Sequence, residues 1–180
     1  MALKVLYRGT GNSLCDLDFT FTNDADTDRD NLLSVKGGAI MALVGDQLLG
    51  MCDPANTNAT FPAAGVGIGT RPFGVLINPA AGQAHENYPN IASGKAPVFD
   101  NWGCYTVTEE NLAGPVGSVW SGVVAGDYVY CGCDDLAGKF TPVKPSTDGG
   151  SEDISVGTVI KVPTAADPTL MFKLNIMEIN

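Results

Sequence analysis

The chain has 180 residues, of which 44% are hydrophobic and 17% charged, a composition that excludes a disordered polypeptide. A single domain of this length buries roughly 70% of its extended-chain surface, enough for a core without supporting staples. The net charge of −10 argues against nucleic-acid binding through phosphate neutralisation, and an anionic membrane surface would repel such a chain.

Met1–Arg8 carries no long apolar stretch of the kind that targets secretion, and no segment approaches a membrane span, so synthesis in the cytosol is expected. Leu3–Arg8 reads as a first strand, stopped by Gly9-Thr10-Gly11. Leu14–Phe21 approximates strict alternation, placing Leu17, Phe19 and Phe21 on one face, and predicts an edge strand. Asp24–Asp30 imitates the first half of a calcium loop by alternating carboxylates. Arg29 stands where the sharp-turn glycine belongs and Val35 where the bidentate glutamate belongs, so the run reads as a solvated acidic turn.

Ala39–Val44 is a short continuous apolar run and predicts a buried strand, with Leu48–Met51 returning as its hairpin partner. Asp53–Pro72 is punctuated by Pro54, Pro62, Gly65, Gly67 and Gly69 and reads as a loop, long enough to be functional or ordered by a partner. Within it, Asn58-Ala59-Thr60 forms a sequon by chance, and Gly65–Thr70 resembles a phosphate loop. The latter lacks the Lys-Ser/Thr ending and a following helix, as Ser93–Ala96 lacks the hydroxyl after its lysine. Phe73–Ile77 restarts the strand pattern, and Asn78–Asn101 reads as turns with at most one helical turn near Gln83–Asn87.

Trp102–Thr108 predicts a strand, followed at Glu109–Leu112 by a helical turn capped by Thr108. Ser118–Val124, Asp127–Cys133, Ala137–Phe140, Ile154–Val162 and Ala166–Ile176 continue the series. Pro163 and Pro168 bound the last hairpin, and Leu170, Phe172, Leu174 and Ile176 share one face. The expected fold is mainly β: a small barrel or sandwich core over residues 73–180, with little helix. Residues 1–72 are expected to supply an N-terminal arm, a hairpin and a long loop. The 22 glycines and 11 prolines suit that many tight turns.

The chemistry-bearing residues do not assemble into a catalytic pattern, and no cofactor, metal or catalytic residue is assigned. The five cysteines, Cys15, Cys52, Cys104, Cys131 and Cys133, form an odd set without zinc-finger spacing and read as reduced thiols. Cys131 and Cys133 place two sulfurs on one side of a strand, with soft-metal binding or redox chemistry as the functional alternative to simple burial. His85 is the lone histidine, in a polar loop without a nucleophile turn nearby. Trp102 and Trp120 flank turn-rich segments, where aromatics serve either packing or an interface.

The late strands resemble those of the capsid decoration, or cement, proteins of tailed bacteriophages. The resemblance is carried by Phe73–Ile77, Gly103–Val107, Ala125-Gly126-Asp127-Tyr128-Val129-Tyr130, Gly138-Lys139-Phe140, Ser155–Val159 and Ala166–Leu170, followed by the alternation through Ile176. Cys131-Gly132-Cys133 and the insertion at Thr141–Asp153 depart from the pattern, and residues 1–72 lie outside it. The resemblance implies a virion structural protein on the capsid exterior, a homotrimer at threefold or quasi-threefold positions bound to the major capsid protein. Two other readings accompany it. One is a tail-tube or fibre component; the other is a small trimeric β-barrel hydrolase using Asp127, Asp134 or Asp135.

Overall fold

A computed structural model describes residues 3–7, 14–19, 37–45, 48–55, 68–76, 95–100, 103–145 and 154–178. Twelve strands are present among them: β1 (Leu3–Tyr7), β2 (Leu14–Phe19), β3 (Ile40–Gly45), β4 (Leu48–Cys52), β5 (Ile68–Gly69), β6 (Pro72–Leu76), β7 (Lys95–Phe99), β8 (Gly103–Thr108), β9 (Tyr128–Cys131), β10 (Phe140–Thr141), β11 (Ile154–Lys161) and β12 (Thr169–Glu178). Among the described residues the helical content consists of two single 3-10 turns, Glu109–Asn111 and Asp134–Leu136.

The strands form two six-stranded sheets, one in the order β1-β8-β12-β11-β9-β10 and the other in the order β2-β7-β6-β3-β4-β5. Each mixes early and late strands: β1 pairs with β8, and β3 with β6, across residue 72. The fold is mainly β and sandwich-like rather than a closed barrel. The second sheet curls enough for a short parallel pairing, Asp18↔Leu48 and Phe19↔Leu49, to join β2 to β4.

Alternation decides which faces meet. In β8 Tyr105 and Val107 are buried while Cys104 and Thr106 are only partly so, and in β12 Leu170, Phe172 and Leu174 point into the core. Ile40, Ala42, Cys52, Val75 and Phe99 reach them from the other sheet, making one continuous core. Aromatic rings link the layers at Phe99 and Tyr105 and continue along the first sheet through Phe172 and Phe140. Phe99 lies 5.0 Å from Tyr105 between ring centroids, Tyr105 lies 5.9 Å from Phe172, and Phe140 lies 4.6 Å from Phe172, all tilted. Each such ring contributes roughly 1.5–3 kcal/mol through burial, with about 0.5–1.5 kcal/mol more from a favourable ring pair.

The hairpin of β3 and β4 and the final hairpin of β11 and β12 both form antiparallel. Four other expectations are corrected. The turn-rich reading of Asn78–Asn101 missed β7, which Pro97 disguised. The β6 ladder engages only Val98 and Phe99, so the proline has a paired strand on one side alone, opposite Asp16. The Asp53–Pro72 loop contains β5, added in parallel to Met51 and Cys52.

Ser118–Val124 is a succession of turns rather than a strand, with the Ser121 N–H donating to the Ser118 carbonyl and the Val123 N–H to the Trp120 carbonyl. Gly117 and Gly122 at positive φ bend the chain at both ends. Its Val and Trp residues are strand formers because they fit half-buried surfaces, and here a turn supplies that surface. The turn after Thr108 forms as a 3-10 turn, without a side-chain cap from Thr108.

Candidate functional site

The connection from Ala113 to Asp127 crosses one end of the sandwich and is anchored by Trp120, which is 2% exposed. Hydrogen bonds fix its exit. The Val124 N–H donates to Asp127 Oδ2 at 2.9 Å, the Gly126 N–H to the Val159 carbonyl at 2.9 Å, and the Val159 N–H to the Asp127 carbonyl at 2.8 Å. Gly126 adopts φ +103°, which lets the chain reverse into β9.

Between this connection and the end of β10 lies an open groove of about 510 Å³, walled by Val119, Val123, Pro142 and Val143 and floored by Tyr130. Tyr128 lines it at 41% exposure and Val143 at 59%, and Val124 stands beside it at 60%. Exposed apolar and aromatic side chains on hydrogen-bonded turns suit contact with another surface, because little ordering entropy is lost on binding. Asp127 is the acidic residue lining the groove, and one of its oxygens is engaged in the turn.

A second cluster sits where β4 ends against β9. Cys52 and Cys131 are fully buried, and the Cys131 thiol donates to the Cys52 carbonyl at 3.1 Å. The same carbonyl accepts the Gly138 N–H at 2.8 Å. Asp53 is also buried, its Oδ1 accepting the Ala55 N–H at 3.1 Å and the Asp134 N–H at 3.2 Å, while Oδ2 has no hydrogen-bond partner among the described residues. That contact accompanies an unusual backbone at Asp134, the one non-glycine residue with positive φ (55°) among the described residues. Burial raises the Cys52 thiol well above its ordinary value, helped by the Cys131 side chain and by the negative charge of Asp53. Burial, with Asp53, Cys131 and Asp134 nearby, pushes Cys133 up to about 11.

Of the residues singled out in the sequence, Cys131 and Cys133 are not joined by Cys104 in a metal-binding group. Among the described residues no group of three or more His, Cys, Asp or Glu is placed to hold a metal ion. What the sequence reading missed was Cys52, 79 positions before Cys131, because nothing in the local pattern of either strand signals that the two meet. Asp127, Asp134 and Asp135 are exposed; the first caps a turn and the second gives its N–H to Asp53. Trp120 is a core residue, whereas Trp102, His85, Asn58–Thr60 and the Asp24–Asp30 run lie outside the described residues. Lys95 of the Ser93–Ala96 segment stands in β7, opposite Asp18. No helix among the described residues is long and apolar enough to cross a membrane. No protein-family model, curated protein or solved structure matches the chain.

Proposed function

We propose that this chain is a virion structural protein that decorates the outside of a tailed-phage capsid as a homotrimer at threefold or quasi-threefold positions. The observation that carries a contact role is the open groove of mixed lining, with Tyr128 and Val143 exposed along it and Val124 exposed on a turn tied to β11. The finer assignment rests on the strand cadence from Phe73 to Ile176 described above. A protein that clamps a shell needs a stiff scaffold and repeated weak contacts. Three linked sites on a lattice multiply modest affinities, and binding only the assembled shell stabilises it. A net charge of −10 suits a place on the shell exterior, away from the packaged nucleic acid.

Purified protein added to undecorated capsids is expected to bind them and raise their disruption temperature. Absence of both effects overturns the reading. Antibody labelling of complete particles seen along the tail, rather than over the head, reassigns the protein to a tail component.

A further inference from the structure

Cys52 closes β4 in one sheet and Cys131 closes β9 in the other, so this pair of thiols spans the sandwich. Both side chains are fully buried, the Cys131 sulfur reaches the Cys52 carbonyl at 3.1 Å, and the two side chains lie within hydrogen-bonding reach of each other. Gly138 holds the Cys52 backbone from the other side, and the Gly132 N–H donates to the Lys139 carbonyl at 2.8 Å, so both ends of the pair are tied to the same turn. The geometry points to Cys52 and Cys131 as a latent disulfide that links the two sheets when a low-molecular-weight disulfide is available as oxidant.

In the exchange, one protein thiolate attacks the reagent sulfur and releases one reagent thiol. The second protein thiolate then attacks the mixed disulfide and releases the other. Two S–H bonds and the reagent S–S bond are broken. One protein S–S bond and two reagent S–H bonds form, and the reagent takes up both electrons. The titratable groups around Cys52 are Cys131, Asp53 and Cys133, which together with burial raise its thiol well above its ordinary value, and Asp134 stands beside Cys133. The bridge therefore forms slowly at pH 7 and faster at pH 9, as the Cys52 thiolate fraction grows. Entry of the reagent requires local opening of the turn at Asp134–Leu136 beside the pair.

The test treats the folded full-length protein with oxidised glutathione at pH 7 and pH 9, alkylates remaining thiols, and maps peptides without reduction. The expected result is a peptide joining Cys52 to Cys131 and loss of two alkylatable thiols from five. A bridge closing a span of 79 residues should also raise Tm by about 5–15 °C, reversed by dithiothreitol. Cys133→Ser, which removes the half-buried competing thiol, is expected to give the same joined peptide. Retention of all five thiols at pH 9, a bridge between other cysteines, or a glutathione adduct at Cys133 alone overturns the proposal. Because the mapping is read on the unsubstituted protein, a variant that fails to fold does not obscure the answer.

Discussion

Asp53 shows how a single buried carboxylate organises a junction. Its Oδ1 holds the Ala55 and Asp134 N–H groups together, so Asp53→Ala leaves both donors without their acceptor. A loss of about 2–3 kcal/mol in unfolding free energy is expected in urea denaturation. Gly157 in β11 is fixed by close approach: a Cβ there would run into the Lys173 backbone carbonyl of β12. Gly157→Ala should therefore cost about 3 kcal/mol, since neither strand can yield without breaking the ladder. At the surface, Lys161 pairs with Asp167, and the hydrogen bond from Lys161 is the leading cause that lowers the Asp167 carboxyl below 3.8. Lys161→Met should raise the Asp167 value in an NMR titration. The sign is that of a depressed acid: its small contribution is present above the unfolded value and disappears as pH falls through the folded one.

The connection Ala113–Asp127 combines a buried anchor with an exposed wall, and the two respond differently to substitution. Trp120 is 2% exposed and its Nε1 has no hydrogen-bond partner among the described residues. Trp120→Ala is expected to cost about 3–5 kcal/mol, whereas Trp120→Phe keeps most of the buried area and breaks no such bond, costing about 1–2 kcal/mol. Tyr128 and Val143, at 41% and 59% exposure, are displayed rather than packed. The double variant Tyr128→Ala with Val143→Asp should leave the unfolding free energy within about 0.5 kcal/mol of the parent. On the proposed reading as a trimeric capsid decoration protein, capsid binding should fall at least about tenfold in a sedimentation assay, because a trimer would lose the contact three times over. Loss of stability with binding unchanged would assign these residues to packing.

Across the molecule, folded-state thiols supply a pH dependence on the alkaline side. Cys52 and Cys133 are raised above 9.0 in the fold, so the stability they contribute is whole below the unfolded thiol value and is lost as pH rises through the folded values. Thermal melts should therefore show a decline setting in above about pH 9, removed in part by Cys133→Ser.

What the chain carries locally is its strand pattern. Alternation in Gly103–Val107 and Leu170–Leu174 and the apolar run at Ala39–Val44 are written in neighbouring residues, because a pleated strand sorts its side chains every second position whatever its partner. Pairing between distant strands is not written there. Pro97 and the Val and Trp residues of Ser118–Val124 show local preference yielding to packing from elsewhere in the chain. The groove needs β10 brought against the Ala113–Asp127 connection, and the thiol pair needs β4 and β9 to meet from opposite sheets. Such contacts depend on which faces bury one another, a property of the assembled core rather than of any segment, and only the tertiary structure decides them.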